Sequence, residues 1–133
     1  MRYAFDTGFF FALVDQPTDE VRTAWNALRS GTATGVVAGI VLFELRRHAL
    51  VGRLDAAVVD VYLDTAEEAF DLIWMDTVAA AERIARLAHG NNLSMADATV
   101  LHAALEGEAS RLYTGDRDLL RLDGFDGLDV IRV

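Results

Sequence analysis

The chain has 133 residues, a formal net charge of −9, 53% hydrophobic residues, one proline and no cysteine. That length and composition suit a single domain, residues 1–133, with a full hydrophobic core and no disordered tail or linker. The missing thiols exclude disulfides, thiolate metal sites and thiol nucleophiles, and the negative charge argues against a broad basic surface for duplex DNA, so a nucleic-acid ligand would have to be held locally.

In chain order, Tyr3-Ala4-Phe5 is a short buried-strand candidate that runs directly into Asp6, and Phe9 to Val14 has the length and apolarity of a short buried helix. Pro17-Thr18-Asp19-Glu20 opens a second helix, with proline in its first turn region and acids favoured by the helix dipole. Its apolar positions are Val21, Trp25 and Leu28, with Trp25 expected in the core, and it stops at Gly31. Thr34 to Ala38 predicts a second strand, followed by a helix from about Gly39 to Val51 that ends at Gly52. Asp55 caps a further helix, and Phe70 to Trp74 reads as a third strand with Trp74 in the core. Asp76 is expected to cap a helix that runs through His89 and closes at Gly90. Ser94 caps the next helix, which ends near Gly107. Arg111 to Tyr113 and Leu128 to Ile131 supply two last short strands.

The N-terminus lacks the apolar core of ~7 to 15 residues and the small-residue cleavage site of a signal peptide. The longest apolar run, Thr34 to Leu45, is broken by glycines and Glu44 and falls short of the ~20 residues that span a bilayer. A cytoplasmic protein without a membrane anchor is expected. Strands separated by helices, with continuous rather than alternating apolar patterns, predict an α/β fold: three layers, α/β/α, around a mainly parallel sheet of about five short strands. In such sheets ligands bind beyond the carboxyl ends of the strands, the rim to which Asp6 and Asp116 belong.

Acidic residues gather at element ends. Asp97 lies in the first turn of a helix, and Asp116 and Asp118 follow the apolar pair Leu112-Tyr113 directly. Concentrated carboxylates of this kind suit a divalent cation. Each also has an ordinary structural reading. Ser94-Met95-Ala96-Asp97 matches a capping box; Asp116 can cap a short helix beginning at Arg117, whose dipole would favour Asp118; Asp6 can start an Asp-Thr-Gly turn. Glu44 is surrounded in sequence by Ile40, Val41, Leu42, Phe43 and Leu45, and its structural partners would be Arg47 or His48 on the same helix face.

Taken together, an apolar strand running into Asp6-Thr7, the Glu44 helix (Phe43-Glu44-Leu45), Leu93-Ser94-Met95-Ala96-Asp97-Ala98 and Thr114-Gly115-Asp116-Arg117-Asp118 resemble the PIN domain. The likeness covers nearly the whole chain in order and at compatible spacings, and its single-domain form is similar to the VapC-like toxins of toxin–antitoxin pairs. The resemblance implies a Mg²⁺- or Mn²⁺-dependent endoribonuclease whose catalytic, metal-binding acids are Asp6, Glu44, Asp97 and Asp116, with Asp118 an accessory metal residue. It also implies a homodimer and a small antitoxin whose segment covers the site.

Such acids repel one another until a cation relieves them, and RNA would enter as a flexible single strand or loop. Arg46, Arg47 and Arg117, adjacent in sequence to these acids, are candidate phosphate contacts; salt bridges to the same acids are the competing reading. Thr7 and Thr114 are placed to hydrogen-bond and orient the carboxylates. His89 and His102 read as structural, and His48 is the histidine nearest to the candidate site in sequence. A phospho-acceptor signalling domain would need paired acids near the first strand and a late lysine, whereas all twelve basic residues are arginine. An RNA-processing nuclease without a toxin role and a non-catalytic binding module of the same fold remain the alternatives.

Overall fold

The computed structural model describes residues 1–133. Its strands are β1 (Arg2–Phe5), β2 (Thr34–Ala38), β3 (Phe70–Ile73), β4 (Arg111–Thr114) and β5 (Asp129–Arg132), and its helices are α1 (Thr7–Val14), α2 (Asp19–Arg29), α3 (Gly39–Leu50), α4 (Ala56–Ala69), α5 (Val78–Asn91), α6 (Met95–Glu106) and α7 (Arg117–Leu120). The strands form one sheet in the order β3-β2-β1-β4-β5, and every pairing is parallel. This is the α/β architecture expected from the continuous apolar strands.

The topology creates the crevice where ligands bind. From β1 the chain steps outward to β2 and β3, then returns across the sheet to β4 on the other flank of β1. Right-handed crossovers therefore put α1 to α4 on one face and α5 to α7 on the other. The segments leaving the carboxyl ends of neighbouring β1 and β4 depart to opposite faces, so the rim parts between them.

Beneath that rim the core is aromatic. Phe5, Phe9 and Phe10 are fully buried, and the Phe5 ring lies 4.2 Å from that of Phe9 and 5.6 Å from that of Tyr113. Burying a side chain of this size contributes about 1.5–3 kcal/mol, so this cluster anchors the start of α1 to the strands beside it. Gly35 in β2 lets the sheet accept Phe70, since a Cβ there would stand 2.6 Å from Phe70 Cδ1.

Four local expectations are corrected. Pro17 lies before α2 rather than in its first turn; Thr18 is the cap and accepts from Val21 N. Thr77, not Asp76, caps α5, its hydroxyl accepting from Ala80 N. That helix does not close at Gly90 but runs on to Asn91, and Asn92 takes the left-handed conformation at φ 52°, one asparagine adopts more readily than most residues. Finally, β3 ends at Ile73, and Trp74 is 51% exposed rather than core. The indole covers Gly39 at the start of α3, where a Cβ would meet its ring carbons. Trp25 is partly buried and packs against the core. No helix is long and apolar enough to cross a membrane.

Candidate metal centre

The site begins where β1 stops. The Asp6 backbone N–H donates to Tyr113 O at 3.0 Å, carrying the β1–β4 pairing one residue past the strand end. Its carboxylate then splits its work: Oδ1 accepts from Thr7 N at 2.7 Å, capping α1, and Oδ2 accepts from the Thr114 hydroxyl at 2.7 Å. Thr114 is fully buried and its Oγ1 also accepts from Asp116 N at 3.0 Å. One hydroxyl thus ties the end of β1 to the loop after β4. The Thr7 hydroxyl donates to Glu44 Oε1 at 3.1 Å, drawing the middle of α3 into the same group. Gly8 permits this closeness, because a Cβ there would stand 3.2 Å from the backbone N of Gly115.

Asp116 and Asp97 enter from the other face. Asp116 caps α7, Oδ1 accepting from Asp118 N at 2.8 Å and Leu119 N at 3.2 Å, while Oδ2 makes no protein hydrogen bond. Ser94 caps α6 through Oγ, which accepts from Asp97 N at 3.2 Å. The reciprocal half of the capping box, a bond from Ser94 N to the Asp97 carboxylate, is not formed. One carboxylate oxygen from each of Asp97, Asp116 and Asp118 lies within 4.8 Å of the others. Asp118 therefore stands inside the tightest group, although the sequence suggests only a supporting place for it.

The electrostatics record burial first and mutual repulsion second. Burial raises the Asp6 pKa above the usual carboxylate value, with the hydrogen bonds from Thr114 and Thr7 opposing and the Asp116 charge adding to it. Glu44 is raised by burial first, then by Asp6 and Asp116, against the hydrogen bond from Thr7 and the charge of Arg47. Asp97 is pushed up to about 6, by burial and then by the charges of Asp116 and Asp6. Of the six ion pairs in the molecule, only Arg121–Asp118, at 2.8 Å, involves these acids.

An all-carboxylate donor set suits a hard, oxygen-seeking cation. With one oxygen from each within 4.8 Å of the others, Asp97, Asp116 and Asp118 would hold such an ion directly after side-chain rotation, or through waters that it retains. Asp6 and Glu44 form the adjoining flank, held by Thr114 and Thr7.

None of the three arginines singled out in the sequence pairs with these acids. Arg46 is bound to Asp60 of α4, because two helical residues onward from Glu44 lies on nearly the opposite side of α3. Arg47, three residues on, is exposed and close enough to lower the Glu44 pKa. Arg117 is exposed and free of ion pairs. His48 packs edge-on against Phe11, ring centroids 4.8 Å apart, and burial lowers its pKa; His102 is buried in α6. Sequence reasoning missed Gly8, Arg121 and Arg132. The i,i+3 spacing of Asp118 and Arg121 was a readable signal, whereas Arg132 comes opposite Thr114 only through the β4–β5 register.

The fold is similar to VapBC2 from Rickettsia felis, solved bound to a DNA fragment from their promoter, with a TM-score of 0.68 and 16% identity over 100% of this chain and 99% of that one. It is likewise similar to a toxin–antitoxin complex from Klebsiella pneumoniae (TM-score 0.66, 20% identity, 95% and 94% covered). A third likeness is to VapBC-5 from Mycobacterium tuberculosis, a member of the VapBC family of toxin–antitoxin systems (TM-score 0.60, 23% identity, 99% and 98% covered). At these identities the likeness is one of fold. No curated protein matches the sequence. The family model of the PIN domain, however, matches residues 3–125, and the chain belongs to the PIN domain family.

Proposed function

We propose that this protein is a VapC-like endoribonuclease, dependent on Mg²⁺ or Mn²⁺, and the toxin of a toxin–antitoxin pair. PIN-domain toxins are generally nucleases that use divalent metals, and the fold likenesses are to toxin–antitoxin proteins. The observation that carries the reading is charge without compensation: Asp6, Glu44, Asp97 and Asp116 crowd one crevice, three of them with raised pKa values and none in an ion pair. A divalent cation is the neutraliser such a group lacks.

Asp97, Asp116 and Asp118 would hold the ion, with Asp6 and Glu44 completing the acidic wall. When bound, it supplies Lewis-acid stabilisation of phosphoryl charge and activation of water. The chain's own part is to keep the carboxylates in place. Thr114 fixes Asp6 Oδ2 and the Asp116 backbone together, Thr7 fixes Glu44 Oε1, and the oxygens not engaged by these bonds are left for the ion. Arg47 and Arg117 are free to meet phosphates of a single-stranded or looped RNA. Arg46, engaged by Asp60, is withdrawn from that set.

A small antitoxin and a second copy of the chain are the proposed partners, in the cytoplasm. The exposed apolar surface of α3, where Phe43 and Leu50 share a face at a spacing of seven residues beside Val51, supports such contacts, as do exposed Trp74 and Met75. Incubation of a single-stranded RNA with the protein and Mg²⁺ or Mn²⁺ tests the activity. Internal cleavage that EDTA abolishes is expected, and intact RNA with either metal would refute the nuclease. Growth arrest on expression, relieved by an adjoining short open reading frame, tests the toxin role; arrest without such a neighbour, or no arrest, points to RNA processing.

A further inference from the structure

Beside the acids lies a cluster of arginines that shares a cleft with one of them. A cleft of about 530 Å³ opens between α7 and β5, lined by Arg117, Asp118, Leu120, Arg121 and Arg132. Three arginines and one aspartate line it, in a chain whose net charge is −9. Arg121 is engaged by Asp118 at 2.8 Å, but Arg117 and Arg132 have no carboxylate partner. These are the two cations an incoming anion would meet first.

Register fixes where the cleft stands. Thr114 pairs with Arg132 across β4 and β5, and Thr114 is the residue that holds Asp6 at the end of β1. Along the carboxyl rim the charge therefore changes from negative at β1 and β4 to positive at β5, over two strand spacings or roughly 10 Å. Asp118 is common to both regions, contributing to the acidic group and lining the basic cleft.

We infer that this cleft binds the phosphate backbone of single-stranded RNA next to the scissile bond, with Arg117 and Arg132 as the phosphate contacts. The inference rests on the nuclease reading for its substrate. Guanidinium forks suit phosphate oxygens in two-point contacts. A polyanion is repelled by the acids until they are neutralised, so a basic landing surface one step away from them gives the strand its hold. Arg121 contributes by restraining Asp118 at the border between the two regions.

The test is fluorescence anisotropy with a fluorescein-labelled single-stranded RNA of about ten nucleotides, in Mg²⁺, using the full chain in a Glu44→Gln background so that the RNA stays intact while Asp97, Asp116 and Asp118 keep the ion. The double substitution Arg117→Ala/Arg132→Ala is expected to lower the slope of log K against log[salt] by about 1.4, since each phosphate contact on a single strand contributes about 0.7. Arg117→Lys/Arg132→Lys should restore most of the slope, because lysine also neutralises phosphate. Arg22→Ala/Arg86→Ala removes the same charge from two exposed helix pairs and should leave it unchanged. An unchanged slope in the cleft variant, an equal fall in the Arg22/Arg86 variant, or equal competition by polyglutamate would overturn the inference. Cleavage by the wild-type chain is scored separately. Cleavage with cleft-independent binding keeps the nuclease and removes the cleft, and cleft-dependent binding without cleavage does the reverse.

Discussion

The two ends of the sheet carry charge in opposite ways. At the amino ends of the strands a cavity of about 640 Å³ is lined by Arg2, Arg29, Glu68 and Asp71 together with Trp25 and Phe70. Its cations and anions are equal in number, and Arg2 is paired with Asp71. At the carboxyl ends, Asp6, Glu44, Asp97 and Asp116 stand close together with no ion pair among them. The cavity at the amino ends is thus electrostatically settled and the acidic group at the carboxyl ends is not. Clustered carboxylates without ion pairs, rather than volume, single out the carboxyl end as the candidate for a ligand, because a bound cation would relieve their mutual repulsion.

The strongest way to break this contrast is to remove a site carboxylate. Asp116→Asn and Asp97→Asn should each lower metal-dependent RNA cleavage on the order of 10²-fold or more, the scale of losing one electrostatic contact to a transition state. Full cleavage by Asp97→Asn would leave that residue only its place in the first turn of α6, where its charge favours the helix dipole. Next in size, Thr114→Val strips Asp6 and the Asp116 N–H of a buried partner. About 1–3 kcal/mol of stability should be lost in chemical denaturation, together with roughly 10- to 100-fold in activity.

Cation binding sharpens the comparison from the other side. At a hundred times its Kd, Mg²⁺ should stabilise the chain by about 2.7 kcal/mol, a rise in Tm of roughly 10 °C, and Asp116→Asn should abolish the rise. Acidity acts on the same group with a definite sign. Because Asp97 is raised from 3.8 to about 6 in the folded chain, the folded state holds the proton more tightly than the unfolded one. Its contribution without metal is therefore greatest below about pH 4 and is lost as pH rises through about 6. Tm measured in EDTA should fall across that window from this cause, and the fall should shrink in Asp97→Asn or in Mg²⁺. The smallest effect belongs to the opposite end: Arg2→Ala removes the pair with Asp71 and the Nε donation to Gly107 O, should cost on the order of 1–2 kcal/mol of stability, and should leave cleavage and the Mg²⁺ response intact.

Much of the fold was legible because buried parallel strands read as short continuous apolar runs. Trp74 was misplaced for the same reason: it prolongs such a run, and only the missing side chain of Gly39 shows that the ring lies across a helix start instead. Asp76 and Thr77 are both good caps, and only the bond from Ala80 N decides between them. Asp6, Asp97 and Asp116 could be located at element ends, yet their convergence depends on β4 returning beside β1, a matter of strand order. Arg46 shows where adjacency in sequence misleads, since two residues onward along a helix leads away from Glu44 toward Asp60. Arg132, set beside Thr114 by strand register alone, carried no local mark at all.

The central claim is that the acidic crevice binds a divalent cation, and crystals of the protein soaked in Mn²⁺ test it most directly through anomalous scattering. A peak bounded by Asp97, Asp116 and Asp118, and absent in Asp116→Asn, is the predicted result. Saturating Mn²⁺ that leaves the crevice empty while occupying other acids would contradict it.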